Sequence, residues 1–335
     1  MNGRERFFAY LEGKPVDRIP NLSIIKAISA RLASVPYGLY CTDYRYLVKA
    51  YLCCCERFGI DTTNVMSDPF REACDFGMEI EFRENDLPMA KHELIPDKKD
   101  ISKLKPFDPF EAKRAVNTCN AIKLFKDMAG DRLVITGVVE MPFAEAATLR
   151  GMQNIMTDLY DDPEFVLKMM DIILATMKEY AKAQIKAGAD IIHFGDAAAS
   201  LVSPKIYSEI ILPYEKELIR TVHNNGALAR LHICGDNNHL LPLMAETGAD
   251  IVDIDWMVDV TEATRIFEDK KFLSGNLDPV SIYLEGTPQL VKNKVRELAS
   301  INNRTLFISS GCEIPKYTPE DNILAHKEEL EKIGW

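Results

Sequence analysis

Apolar residues return along this chain in two rhythms. Short runs rich in β-branched side chains alternate with longer stretches whose apolar positions recur every three or four residues. The short runs are RIPNLSII (18–25), GIDTTNV (59–65), RLVITGVV (132–139), DIIHFG (190–195), ALARLHI (227–233), DIVDID (250–255), KFLSGNL (271–277) and TLFISSG (305–311). Strand followed by helix, repeated, is the pattern of a parallel sheet with crossover helices. Eight such units within 335 residues predict one (β/α)8 barrel (TIM barrel) domain over 1–335, with a short N-terminal extension. An open doubly wound sheet fits less well, because it more often carries a glycine-rich phosphate loop, and neither GxGxxG nor GxxxxGK[ST] occurs.

AKAQIKAGADIIHFGD and LPLMAETGADIVDID share a helix-Gly-Ala-Asp-strand pattern, as expected of two barrel units whose helix is stopped by glycine. Between the second and third runs, ACDFGMEIEFRENDLPM predicts a small β excursion, and HELIPDKKDISKLKPFDP a polar crossing to the next helix. Asp161-Asp162 before Pro163 predicts a helix start. Met169 and Met170 predict core packing.

Hydrophobic residues make up 47% and charged residues 27%, enough apolar side chain for a sizeable core. The 40 Lys and Arg are scattered among 51 Asp and Glu, giving a net charge of −11, which argues against nucleic acid or an anionic membrane as partner. The charged start MNGRERFF has no signal-peptide core and no later stretch approaches a membrane span, so a cytoplasmic location is expected. Eight cysteines in such a chain are expected to be free thiols or metal ligands. Cys53-Cys54-Cys55 lies in a helical rhythm, where adjacent side chains diverge by about 100° and cannot converge on one ion. These three are expected to fill the core.

The candidate chemistry gathers at LHICGDNNHL (231–240). Side chains alternate along a strand, so His232 and Cys234 point the same way and Ile233 the other. At the C-terminal end of a fifth barrel strand the pair stands where such barrels carry their active sites. Cys312 follows the eighth strand and opens the loop GCEIPKYTPEDN, so three soft ligands can meet at one rim. One imidazole and two thiolates suit zinc, and three protein ligands with a fourth position free describe a catalytic site. H-x-C alone is a weak signal, and two buried soft residues at a strand end are the competing reading.

The same residues stand within a longer pattern that resembles the uroporphyrinogen decarboxylase superfamily, and within it the zinc-dependent corrinoid methyltransferases. The segments that carry it are NGRERFFAYLEGKPVDRIP, FGMEIEF, MPFAEAATLRGMQNIMTDLYDDPEFV, AGADIIHFGDAAASLVSPKIYSEIILPYEKELI, LHICGDNN, GADIVDIDW, LSGNLDP and SSGCEIPKYTPEDNILA. The resemblance implies that His232, Cys234 and Cys312 hold zinc. It further implies that zinc binds a thiol, or another small methyl donor or acceptor, and that the methyl group passes between it and the cobalt of a corrinoid (cobalamin). D-x-H-x-x-G, the corrinoid-binding signature, is absent, and the nearest string, Asp190 to Gly195, has the wrong spacing. A separate corrinoid-binding protein is therefore implied as partner.

A decarboxylase that grips a porphyrinogen's many carboxylates needs several fixed guanidiniums, and NLSIIKAISARLASVPYGLYC offers Arg31 alone. A lyase acting on a poly-carboxylate is the runner-up function, and a non-catalytic zinc or corrinoid-system component the third. Asp68 resembles the decarboxylases' aspartate-bearing strand end and is expected either to orient substrate or to cap the helix of SDPFREAC. Glu140 and Asp196 follow the third and fourth strands and are candidate catalytic carboxylates, expected to orient His232 or fill the fourth metal position, with a loop cap or a salt bridge as the competing reading. Asp255 is the expected catalytic carboxylate of the sixth strand and Asp253 the structural one. Asn276 is expected to bind substrate or to hold a turn. His193 is expected to be a satisfied core histidine, and His239 to lie too far along the next helix to join His232.

Overall fold

Residues 1–267, 271–301 and 304–334 are described by a computed structural model. Among them, strands β1 (Ile80–Glu81) and β2 (Met89–Ala90) form a small antiparallel hairpin, the β excursion expected between the second and third units. Strands β3 (Thr136–Glu140), β4 (Ile191–Gly195), β5 (Leu228–His232), β6 (Ile251–Asp253), β7 (Phe272–Leu277) and β8 (Leu306–Ser310) form one parallel sheet in that order. Six of the eight expected barrel strands are thus regular.

The first two are not. Segment 18–25 has no ladder, and 59–65 makes one isolated parallel bridge, Thr62 to Val134. Side chains close the barrel in their place. Leu22 N and Ile24 N donate to the hydroxyls of Ser309 (3.0 Å) and Ser310 (3.2 Å), and Ser310 N donates to Ser23 Oγ (3.2 Å). Asp61 N donates to Asn21 O at 2.9 Å, and the buried Asp61 carboxylate accepts from Asn21 N (2.7 Å) and from Arg6 and Arg18. The amide of Gln184, on the long helix Pro163–Ala187, bonds Val138 N and Val138 O, both at 2.7 Å. Buried backbone groups left without a ladder partner are in this way satisfied by side chains.

The Gly-Ala-Asp repeat has one structural role twice. Gly188 ends its helix at φ 115°, a left-handed conformation that disfavours a Cβ. Two residues on, Asp190 accepts from Ile135 N at 2.9 Å; its counterpart Asp250 accepts from Ala229 N at 2.8 Å. Each aspartate so ties a new strand to an amide of its neighbour.

The helix Gly3–Leu11 packs near the N-terminal ends of β7 and β8, where Phe7 stacks on Phe307 and Tyr10 donates to Leu306 O at 2.9 Å. Asp162 caps Pro163–Ala187 by accepting from Phe165 N, and Met169 and Met170 are fully buried, as expected. Of the cysteine triplet, Cys54 and Cys55 fill the core, whereas Cys53 turns to solvent because three consecutive helical positions cannot share one face. No helix among the described residues is long and apolar enough to cross a membrane.

Candidate metal centre

The parallel register decides what meets at the C-terminal rim. Glu140 pairs with Gly195, Gly195 with His232, and His232 with Asp253, so the last residues of β3 to β6 form one row. Two positions below, on the same face, His193 pairs with Arg230. A Cβ on Gly195 would stand 2.7 Å from Glu140 Oε2, so glycine leaves the space that the Glu140 carboxylate takes.

Cys234 lies two residues beyond β5, and Cys312 two beyond β8. Their sulfurs are 3.9 Å apart, and His232 Nε2 is 3.6 Å from Cys312 Sγ and 2.9 Å from Cys234 Sγ. Tetrahedral zinc places thiolate and imidazole ligand atoms about 3.6–3.8 Å from one another. Two of the three separations match, and the third requires an opening of well under 1 Å. The three side chains could therefore hold a metal ion such as zinc, and no fourth His, Cys, Asp or Glu joins the cluster among the described residues. Hydrogen bonds from the Cys234 thiol and His232 draw Cys312 down toward thiolate, and the same pairing with burial pushes Cys234 up.

The trio forms one wall of a cavity of about 210 Å³. Its other walls are mostly apolar, including Ile24, Met66, Pro69, Ala144, Met152 and Ala197; polar groups come from Lys26, Glu140, His193 and Glu313. Lys26 and Glu313 form an ion pair of 2.7 Å. Neither is recognisable in the sequence, since Lys26 has no motif around it and Glu313 reads as an ordinary loop residue beside Cys312.

The other expected residues divide. Glu140 reaches the cavity: its Oε1 is 3.4 Å from Arg71, and burial, opposed by Arg71 and reinforced by Glu72, raises its carboxyl to about 7. Asp196 does not; burial of its carboxyl, with the charge of neighbouring Glu215, raises it far above the usual range. Tyr207 donates to Glu215 from the other side. The residue facing His232 is Asp253 rather than Asp255. Asp253 Oδ2 is 3.7 Å from His232 Nδ1 and 3.0 Å from His193 Nε2, and both Asp253 oxygens accept from Arg230 Nε at 2.9 Å. Strand β6 ends at Asp253, so Asp255 falls in the loop, where it accepts from Gly235 N (2.6 Å) and Trp256 N (2.7 Å) and shapes the turn after Cys234.

Asp68 neither lines the cavity nor caps the helix Arg71–Asp75, whose N-cap position is Phe70; it holds the turn before it. It accepts from Phe70 N (3.0 Å) and Ser67 Oγ (2.7 Å) and pairs with buried Arg114. Asn276 donates to Val258 O at 2.9 Å and belongs to a separate surface depression. His193 is buried, as expected, with Asn64 at 3.3 Å, yet it also borders the cavity. His239 donates to Val202 O at 3.0 Å, away from the trio. Arg31 is spent on Lys316 O and Thr318 O, and among the described residues no arginine lines the cavity.

Residues 2–332 match the uroporphyrinogen decarboxylase (URO-D) family. The chain belongs to that family. It is 28% identical to methylcobamide:CoM methyltransferase of Methanosarcina acetivorans, over 96% of this chain and 95% of that protein. It is 26% identical to the methylated-thiol–coenzyme M methyltransferase of Methanosarcina mazei, over 97% and 88%. A uroporphyrinogen decarboxylase of Koribacter versatilis matches at 29%, but over 61% of this chain and 60% of that one. A solved methyltransferase from Methanosarcina mazei superposes with a TM-score of 0.89 over 99% of both chains at 23% identity, and so establishes the shared barrel fold.

Proposed function

We propose that this URO-D family barrel is a methyltransferase that exchanges a methyl group between a methylcobamide, carried by a separate protein, and a small thiol. The observation that carries the reading is the convergence of His232, Cys234 and Cys312 on one wall of a cavity at the barrel rim. Relatives that match nearly end to end, and are named as methyltransferases acting with methylcobamide or methylated thiols, support it. The small cavity without arginine disfavours a porphyrinogen, whose carboxylates need several guanidiniums.

In this reading His232 Nε2 and the two sulfurs hold zinc. Zinc, when bound, lowers the pKa of a thiol in its free position, so that a thiolate forms at neutral pH. Asp253, fixed by Arg230, orients the imidazole from behind. The apolar walls exclude water and leave the sulfur poorly solvated, hence more nucleophilic. Glu140, with its carboxyl near neutrality, accepts the proton that the thiol gives up. The sulfur lone pair then forms the S–C bond as the Co–C bond breaks, its electron pair remaining on cobalt. The reverse direction uses the same atoms.

A wider depression of about 670 Å³, lined by the loop between β1 and β2 and by Lys316 and Tyr317, shares Glu313 with the first cavity. A bulky corrinoid protein approaches from that side. The test is methyl transfer from free methylcobalamin to a panel of thiols, followed by the cobalamin spectrum. Transfer that disappears in Cys312→Ser supports the reading; no transfer to any thiol from protein with full zinc content overturns it.

A further inference from the structure

Four buried side chains meet one another in a chain that ends on His232: Asn64 from the irregular segment 59–65, His193 in the middle of β4, Asp253 at the end of β6, and His232 itself. The orientation of the first decides the rest. Asn64 Oδ1 accepts from Met66 N at 2.6 Å, so the amide nitrogen is the atom that faces His193 Nδ1, at 3.3 Å. An amide nitrogen only donates, so His193 Nδ1 accepts and the proton of that ring is on Nε2. Nε2 lies 3.0 Å from Asp253 Oδ2.

That oxygen is crowded. Arg230 Nε reaches both Asp253 oxygens at 2.9 Å, and Arg230 is itself held by Leu22 O at 3.1 Å and Ser274 Oγ at 3.4 Å. His193 Nε2 follows at 3.0 Å, and His232 Nδ1 stands third at 3.7 Å. A carboxylate oxygen has room for about two donors, so one imidazole gains Oδ2 at the expense of the other. Neither ring nitrogen makes an aligned hydrogen bond, which is the geometry of a carboxylate stopped between two donors.

We infer that His193 is a positioning residue of the metal centre, which competes with His232 for Asp253 Oδ2 and so limits how firmly Asp253 braces the ligand imidazole. The inference rests on the metal site of the proposed function, and is independent of the methyl donor and acceptor. A histidine fully braced by a carboxylate is a more basic ligand and binds its metal more tightly. His193 therefore lowers metal affinity and leaves a bound ion more electron-poor toward an incoming thiol.

Zinc retention in the full chain, read by competition with a chromogenic chelator, tests this. His193→Leu removes the Nε2 donor and is expected to tighten retention on the order of tenfold. His193→Gln, whose amide nitrogen can donate from about the same place, is expected to restore the wild-type value. In the Asp253→Asn background, His193→Leu is expected to lose most of its effect, because it acts through that carboxylate. Circular dichroism shows whether each variant is folded. Retention unchanged or weaker in folded His193→Leu, or an equal gain beside Asp253→Asn, overturns the inference. If His193→Leu does not fold, the nitrogen-15 shifts of the wild-type imidazoles decide: a His193 proton on Nε2 supports the inference, and one on Nδ1 overturns it. Wild-type protein that retains no zinc overturns the metal reading, whereas zinc retained with indifference to His193 overturns this inference alone.

Discussion

His232 Nδ1 faces Asp253 Oδ2 at 3.7 Å, just outside hydrogen-bond reach and with no other partner for that nitrogen among the described residues. A histidine that ligates through Nε2 needs an acceptor at Nδ1 to hold its tautomer, and a movement of a few tenths of an ångström supplies one. Asp253→Asn is expected to weaken zinc retention by on the order of 10–100-fold, read by competition with a chromogenic chelator. Unchanged retention would remove Asp253 from that role.

Metal content tests the ligand set directly. Purified protein is expected to hold about one zinc per chain, and the Cys234→Ser, Cys312→Ser double variant close to none, because His232 alone cannot retain the ion. Elemental analysis beside circular dichroism separates ligand loss from unfolding. Zinc undiminished in the folded double variant would mean that other residues bind it.

Acid should destabilise the fold through His326. Its Nδ1 accepts from Tyr283 OH at 2.7 Å and its Nε2–H donates to Ile308 O at 3.1 Å, so the buried ring is neutral, and burial lowers its pKa to about 3. The folded value lies below the unfolded one of about 6.5, so the native state binds fewer protons between them. Its contribution is whole above pH 6.5 and declines as pH falls toward 3, by about 2 kcal/mol at pH 5. Urea midpoints at pH 7 and pH 5 should converge in His326→Gln; an equal pH dependence in both proteins would contradict this.

Asp68 is expected to act on stability, not on substrate. Asp68→Ala removes the acceptor of Phe70 N and leaves buried Arg114 without its carboxylate, at a cost of roughly 3–5 kcal/mol. The unfolding midpoint should fall while KM for the thiol, per folded enzyme, stays put. A raised KM at unchanged stability would return Asp68 to the binding site.

The alternation of apolar runs was enough to read the parallel barrel, its repeated Gly-Ala-Asp tie and the strand-end placement of His232, Cys234 and Cys312. Those features follow from local rules: side-chain period, helix stops, and the tendency of barrel sites to lie at strand C-termini. Glu140 follows the same rule and reaches the cavity, though its partner is Arg71 and not His232. Asp196 and Asp255 followed that rule too and were misplaced, since strand ends fix the position of a residue but not which neighbour its side chain meets.

By itself the sequence determined the order of elements, the polarity of each strand and the strand-end positions of His232, Cys234 and Cys312, because each is encoded within a few residues. Only the tertiary structure decided that Asp253 backs His232, that Lys26 is taken by Glu313, and that hydroxyls rather than a ladder close the barrel. Those pairings join residues 21 to 287 positions apart, and their partners are chosen by register and burial across strands. No local periodicity carries that information.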